Sequence, residues 1–399
     1  MAKRPLILAV DVGTTKVSAL IGEAHPEGEL TVLGIAATPV VGMRRGLVFE
    51  VERVAMAIKD SVNRANSMAG TDLKDAAMAL NGDHLSLVPG QAGINLKTGT
   101  VRPEDVAGAT GRAAQQVPQQ SGRETVQVIR RGLSVDGFRG VVDPVGMVAH
   151  QMEAEVFVVT GATTVIRNLR RVATLAGINP VLLIPAAKAS ADAVLADDEK
   201  QIGVVHLDVG GGTTGITVYR GGHLQYLGVV PIGGESITAD LSVGLGVVTT
   251  QAERLKLEYA AVGSAREGNL EVRAVSGQSV KVIPVKELEE IVAARVDEWS
   301  SMVEDHLSRI EWPKGPGAGV VMTGGGSLLK GLKSSLEGRW AWPVRLGAPI
   351  GLAGLSDLSR SPGYAVVVGV AKNSRQYGVT SEQESAWTRL VQLWLSLWN

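Results

Sequence analysis

The sequence predicts an α/β fold of two similar lobes closed around a cleft, with a small α+β domain inserted into the first lobe. Three observations carry this. A short apolar run ends in Asp11-Val12-Gly13 and is followed by Thr14, Thr15 and a further strand pattern. The same arrangement returns 197 residues later as Asp208-Val209-Gly210, followed by Gly211, Gly212, Thr213 and Thr214. A third apolar run, Val320–Thr323, leads into Gly324-Gly325-Gly326-Ser327. Two copies of one strand–turn–strand device in a chain of 399 residues point to a duplicated fold.

The elements follow in order. Leu6–Val10 is a nearly continuous apolar run, the pattern of a buried strand. Lys16–Glu23 and Leu30–Pro39 read as the next strands of a meander. Val48 to Met68 has helical spacing. From residue 83 to 160 the texture changes to Gln, Val and Gly, with strand-like runs at Thr125–Arg130 and Glu155–Thr160 and a helical stretch at Pro103–Gln116. This is the expected insert. An amphipathic helix resumes at Ala162–Ala176. Gly203–Asp208 reads as the second buried strand, and strand patterning continues through Val230. Thr249–Tyr259 and Val285–Ile310 read as helices. Val320–Thr323 reads as a third buried strand with a helix starting near Ser327, and Tyr364–Lys372 as a last helix against the core.

The expected organisation assigns residues 1–82, 161–198 and 357–372 to the first lobe and 83–160 to the insert. Residues 199–236 and 313–356 form the second lobe, and 237–312 a subdomain of it. Residues 373–385 read as a polar linker and 386–399 as a terminal helix.

Composition narrows the chemistry. The formal net charge is −1 and no basic block occurs, which excludes a nucleic-acid backbone as the partner. With no Cys there are no disulfides, no thiol catalysis and no Cys-type zinc site. The six His (His25, His84, His150, His206, His223, His306) stand at no metal-ligand spacing and read as structural. The opening run is broken by Asp11 and is not a signal peptide, and no stretch reaches the eighteen or so apolar residues needed to span a bilayer. These features fit a chain kept in the cytoplasm. Asp197–Lys200 reads as a solvated turn, Trp299 and Trp312 as core, and Arg44-Arg45 as a solvated loop.

The two hairpins suit a nucleoside triphosphate. A buried strand delivers Asp11 to its end, Gly13 allows a tight turn, Thr14 and Thr15 offer hydroxyls and N–H groups, and Lys16 supplies charge. Asp208, Gly210, Gly211, Gly212, Thr213 and Thr214 repeat the device with a denser glycine run. Asp11 and Asp208 would hold Mg²⁺ directly or through water. The glycines of Gly324-Gly325-Gly326-Ser327 would let backbone approach a flat base and ribose.

These three motifs resemble the actin, chaperone-ATPase and sugar-kinase superfamily. Within it the chain is similar to the FtsA family of cell-division actin homologues. Pro231-Ile-Gly233-Gly234-Glu-Ser-Ile-Thr238 and Gln251-Ala-Glu253-Arg-Leu-Lys256 resemble that family's GG-x-x-IT and AERxK segments. The resemblance places Gly233, Gly234, Glu253 and Lys256 at the ribose and base. Glu155–Gly177 is similar to the family's exit from its insert. The likeness runs from residue 6 to 372 and resumes at the C-terminal helix. Two positions depart from the family. Ile184 precedes Pro185 where Glu is usual, and Gly215 stands where the second phosphate loop usually ends in Asp. Both remove polar groups from the expected γ-phosphate region, so the expectation is ATP binding with slow or absent hydrolysis and no assigned catalytic residue.

The last residues switch abruptly to Trp, Leu and Val. On a helical wheel Trp387, Leu390, Val391, Trp394, Leu397 and Trp398 share one face, with polar residues opposite. A helix this short, about 20 Å, cannot span a bilayer but can lie in its interface. The resemblance agrees, since the family ends in a membrane-targeting helix. It further implies filaments on the cytoplasmic face of the cell membrane at the division site, contact with the C-terminal tail of FtsZ, and downstream division partners. Two other readings remain. A PilM-like pilus-assembly scaffold would share the fold without this tail, and a small-molecule kinase would need a catalytic carboxylate at the cleft.

Overall fold

The computed structural model describes residues 5–25, 29–97, 99–264, 267–273, 280–312 and 315–376. The membrane-facing residues expected at Trp387, Leu390, Val391, Trp394, Leu397 and Trp398 lie outside the described residues.

The first half opens with strands β1 (Leu6–Val12), β2 (Lys16–Ala24) and β3 (Leu30–Pro39), then the small hairpin β4 (Met43–Arg44) and β5 (Leu47–Val48). Helix α1 (Val51–Ala69) and β6 (Asp75–Leu80) follow. Next come β7 (Ser86–Asn95), α2 (Pro103–Gln115), β8 (Arg123–Val135), β9 (Phe138–Arg139) and β10 (Gln151–Ala162). The half closes with α3 (Thr163–Leu175), β11 (Asn179–Pro185), α4 (Ala186–Val194) and α5 (Asp197–Ile202). The second half holds β12 (Val204–Val209), β13 (Thr214–Arg220), β14 (His223–Val230), α6 (Gly234–Gly244) and α7 (Thr249–Glu258). A ribbon, β15 (Asn269–Arg273) and β16 (Val280–Pro284), leads to α8 (Val285–Leu307). The chain then forms β17 (Val320–Thr323), α9 (Leu332–Trp340), β18 (Val344–Leu346), β19 (Leu352–Gly354), α10 (Ser356–Ser359) and α11 (Ala365–Gln376).

The duplication read from the sequence is explicit in the sheets. One has the order β11-β6-β1-β2-β3-β19, the other β14-β13-β12-β17-β18. In each, a central strand pairs antiparallel with the next strand of a three-strand meander and parallel with a later strand. Thus β1 corresponds to β12, β6 to β17 and β11 to β18. Both central strands are apolar because neighbouring strands and helices cover them on each side. Ala9, Val10, Val204 and Leu207 are fully buried.

The insert has its own core around Met152, Ala154, Val156 and Leu133, on the sheet β7-β10-β8-β9. Its strands run longer than the sequence suggests. The expected Thr125–Arg130 and Glu155–Thr160 are the centres of β8 and β10. β7 escaped notice because Pro89, Gly90 and Gly93 interrupt its pattern. Gly90 is needed there, since a Cβ would fall 2.3 Å from the Ala113 carbonyl of α2. Helix α2 starts with Pro103, and Asp105 accepts the Arg102 N–H at 2.9 Å.

Three boundaries differ from the sequence reading. Gly325–Leu328 is a single 3-10 turn and α9 begins only at Leu332, because Gly331 takes a left-handed conformation (φ 77°). Asp197–Lys200 is no free turn. It starts α5, where Lys200 Nζ lies 3.3 Å from Asp192 and the neighbouring Glu199 pairs with Arg345 at 2.6 Å. Helix α11 does not stop at Lys372 but runs to Gln376, burying Asn373 and Ser374 that composition assigns to the linker. Their polar atoms find partners in the helix and in α4, which is what lets them sit inside.

Candidate functional site

The two hairpin turns are built alike. The Gly13 N–H donates to the Lys16 carbonyl at 3.0 Å, and the Gly210 N–H to the Thr213 carbonyl at 2.9 Å. The turns also face one another. A Cβ on Gly211 would meet Thr15 at 2.7 Å, and one on Gly212 would meet Thr14 Oγ1 at 2.8 Å. Only glycine lets the lobes approach this closely.

Between the turns lies a cavity of about 300 Å³, a size suited to a small-molecule ligand. Asp11, Gly13, Thr14, Thr15 and Lys16 line it from the first lobe. Asp208, Gly210, Gly211, Thr213, Gly234, Glu253, Lys256, Gly324, Gly325 and Gly326 line it from the second. Gly212, Thr214, Gly233 and Ser327 do not; they build the walls. Thr214 Oγ1 donates to the Ile232 carbonyl and accepts from Trp299 Nε1, both at 2.8 Å. Ser327 Oγ donates to the Gly324 carbonyl at 2.7 Å. Gly233 makes room for the Gly210 and Gly211 carbonyls, which accept the Gly234 and Glu235 N–H groups at 2.9 and 2.8 Å. A peptide's C=O and N–H point opposite ways, so the N–H groups of Gly211 and Gly212 face away from α6.

The Gly324 turn is set by backbone geometry. Gly324 has φ 80° and ψ 164°, and a Cβ there would lie 2.3 Å from the Val209 carbonyl. Gly324→Ala is expected to lower stability by about 3 kcal/mol or more in urea unfolding, from strain plus overlap. Gly325→Ala, where nothing lies within 4 Å, is the control and should cost far less.

On the opposite wall Lys256 Nζ donates to the Gly234 carbonyl at 3.0 Å, Thr238 Oγ1 at 2.9 Å and Glu253 Oε2 at 2.7 Å. Lys256 therefore fastens α7 to α6, and Glu253 joins the same group by accepting from Thr238 and Lys256 through Oε2.

Sequence reasoning missed Asn81, Glu235 and Tyr364, which belong to this region. Asn81 lines the cavity and donates from Nδ2 to Thr213 Oγ1 at 2.7 Å, across the two lobes. His84 holds it: Nδ1 accepts the Ala162 N–H at 3.1 Å, so Nε2 donates to the Asn81 carbonyl at 3.3 Å. Asn81 follows β6 as Gly324 follows β17, so recognising β6 as the duplicate of β17 would have found it. Tyr364 places its ring 3.8 Å from Lys16 Nζ, and no local signal announces it. Glu235 lines the same cavity.

The two departures have physical explanations. Ile184 is fully buried in β11 and belongs to the first lobe's core. Gly215 pairs directly with Asp208 across the β12–β13 ladder, but a Cβ there would meet the Ala187 Cβ at 2.7 Å. The start of α4 has closed that position. Gly215→Asp should cost about 1–3 kcal/mol by overpacking, read as a lower thermal midpoint.

Charge is unevenly balanced. Burial, with the nearby Asp208 carboxylate, pushes the Asp11 carboxyl up to about 7 against the pull of Lys16. Burial pushes Asp208 up to about 6, against the Thr323 hydrogen bond and Lys16. Burial lowers Lys16, and the two carboxylates oppose that. Two hard oxygen donors sharing one lysine form a set that a divalent cation satisfies. Among the described residues no group of three His, Asp or Glu is gathered, so such a cation would complete its shell with phosphate and water. The pH consequence has a definite sign. Both folded carboxylates hold protons more tightly than the 3.8 of an unfolded Asp. They therefore cost stability increasingly as pH rises from about 4 to 7. If the cleft takes a nucleotide with Mg²⁺, that binding should weaken as pH falls from 8 to 6, since the metal's carboxylate ligands must lose protons. Metal-free binding should not weaken over that range, because protonation removes repulsion from a triphosphate. Titration calorimetry at several pH values with Mg²⁺ or EDTA checks both.

A family model described as cell division protein FtsA matches residues 205–369, and one described as the SHS2 domain inserted in FTSA matches residues 82–160. A cell division protein FtsA of Neisseria meningitidis is 33% identical over 370 residues, covering 91% of this chain and 89% of that protein. The chain belongs to the FtsA family. The FtsA of Pseudomonas aeruginosa is 31% identical over 382 residues, covering 95% and 90%. Among solved structures, a PilM–PilN type IV pilus biogenesis complex matches with TM-score 0.68 at 18% identity, over 94% of this chain and 99% of that one. MreB5 of Spiroplasma citri bound to ADP matches with TM-score 0.56 at 14% identity, over 93% and 96%. These structures share the actin-like two-lobed fold. The SHS2 match begins the FtsA insert at residue 82, one before the expected 83.

Proposed function

We propose that this cell-division protein binds ATP with Mg²⁺ in the interlobe cleft, polymerises on the cytoplasmic face of the cell membrane, and holds FtsZ filaments at the division site. The observation that carries the nucleotide reading is the pair of matched Gly–Thr turns facing each other across a cavity whose third wall is the Gly324 turn. Asp11 and Asp208 would hold Mg²⁺, directly or through water, and the cation would offset triphosphate charge there. Thr14, Thr15, Lys16, Gly211 and Thr213 would meet phosphate, while Glu253 and the Gly324–Gly326 backbone would meet ribose and base.

With Ile184 in the core and Gly215 bare, turnover is slow or absent, and ATP acts as an assembly ligand. The solved relative with ADP is an actin-like protein, which supports the nucleotide. Membrane attachment rests on the Trp-rich face of residues 386–399. One short helix binds reversibly, so a polymer presenting many of them gains avidity. The partners are the FtsZ C-terminal tail, further copies of this chain, membrane lipid and downstream division proteins. The PilM likeness, at 18% identity, competes less well than 33% identity to a cell-division protein.

The test is electron microscopy of the full chain on liposomes with ATP and Mg²⁺, followed by addition of FtsZ. Lipid-bound filaments that recruit FtsZ are expected. Monomers that ignore lipid and FtsZ would sink the reading.

A further inference from the structure

The face of β12 that carries Asp208 also carries His206, two residues earlier. Both neighbouring strands put a hydroxyl beside this pair. Thr217 of β13 stands opposite His206, and Thr323 of β17 stands level with Asp208. His206, Thr217 and Thr323 are fully buried and Asp208 nearly so. Thr217 Oγ1 lies 3.3 Å from His206 Nδ1, His206 Nε2 lies 3.0 Å from Thr323 Oγ1, and Thr323 Oγ1 lies 2.9 Å from Asp208 Oδ1.

The protons in this row have one consistent arrangement. An ionised carboxylate only accepts, so the single Thr323 proton goes to Asp208. Thr323 must then accept, which requires the Nε2–H tautomer of His206. Its Nδ1 is left to accept from Thr217. Each donor thus points towards Asp208, and no member is left unsatisfied.

The first lobe provides an internal comparison. At the matching places around Asp11 stand Ala9 for His206 and Leu20 for Thr217. Ala79 lies in line with Asp11 by continuing the β1–β6 register. None of these three can donate to a carboxylate from its side chain, and Ser18, directly opposite Asp11, leaves its buried hydroxyl without a hydrogen-bond partner, so among the described residues no side-chain hydrogen bond ties Asp11 to its sheet.

We infer that His206 and Thr323 are positioning residues that fix Asp208 through this directed row, making it the rigid anchor for a nucleotide-bound divalent cation while Asp11 stays adjustable. The inference rests on the cleft taking a metal–nucleotide. Among the described residues, Asp208 Oδ2 accepts no hydrogen bond, which leaves that oxygen for the cation or its water. His206 does not touch the ligand and acts only through Thr323.

The test uses the full chain with His206→Val, His206→Gln, Thr323→Val and Thr323→Ser. Gln keeps a donor near the Nε2 position, and Ser keeps the hydroxyl. ATP affinity is measured by calorimetry in Mg²⁺ and in EDTA. His206→Val and Thr323→Val should weaken ATP binding in Mg²⁺ by about tenfold, with little change in EDTA, and Gln and Ser should restore most of it. An equal loss in both conditions would mean a role in folding alone and overturn the inference, as would no loss in either. Nitrogen-15 NMR of His-labelled wild-type protein, assigned by His206→Gln, reads the tautomer independently of any ligand. Protonated Nε2 with bare Nδ1 is expected, and the reverse overturns the row. If wild-type protein binds no ATP, the nucleotide reading fails and the NMR still decides whether the row exists.

Discussion

Lys188→Met is expected to destabilise the protein by about 3–5 kcal/mol, because it leaves a buried carboxylate without its main counter-charge. Lys188 sits on α4, one turn before Asp192, and its Nζ lies 2.6 Å from Oδ2 of that residue. Asp192 also receives Lys200 of α5 at 3.3 Å, Tyr219 of β13 at 3.1 Å and Asn373 of α11 at 3.2 Å. Burial pushes the Asp192 carboxyl up, but the ammonium groups of Lys188 and Lys200 outweigh it and hold the carboxyl well below the usual carboxylate range. The stabilisation is present above about pH 4 and is lost as acid protonates the carboxylate. The cluster joins α4 and α11, which touch so closely that a Cβ on Gly369 would lie 1.7 Å from the Ala189 carbonyl, to β13 of the second sheet. Urea unfolding at neutral pH measures the loss. The double variant Lys188→Met, Asp192→Leu should recover only part of it, since it removes the uncompensated carboxylate but also the acceptor that Lys200, Tyr219 and Asn373 share. A single variant as stable as wild type would show that the pair bears no weight.

Removing residues 385–399 is expected to abolish co-sedimentation with liposomes, a loss of at least about tenfold in bound fraction. The removed segment holds three Trp, four Leu and a Val, and burying each such side chain contributes about 1.5–3 kcal/mol. With Arg389 as its one basic residue, binding should respond weakly to salt and to anionic lipid. The milder pair Trp394→Glu, Trp398→Glu should reproduce most of the loss. The truncated chain should unfold at the same urea concentration, because the buried part of α11 through Ser374 is retained. Equal pelleting of the two proteins would place lipid binding elsewhere or nowhere.

Much of the cleft was legible because phosphate-type turns need short-range features. An apolar strand, an Asp at its end and a glycine turn are neighbours in sequence, and Asp11 and Asp208 announce them. The same locality explains the misses. Asn81 follows a strand, Asp75–Leu80, whose Ala-rich pattern carries no β signal of its own. Asn373 and Ser374 are polar by composition, and only the partners on α4 and within α11 make them core.

The sequence by itself determined the duplicated α/β architecture, the two Gly–Thr turns and the insert. Each is written in the spacing of adjacent residues, where period and turn chemistry act. Only the tertiary structure decided which of those residues reach the cavity, that Lys256 ties helices together, that Ile184 is core, and that His206 stands behind Asp208. Those facts depend on strand register and on the close approach of distant backbone, such as Gly215 under Ala187. Register is fixed by the fit of the whole sheet and its covering helices, which no local stretch of sequence contains.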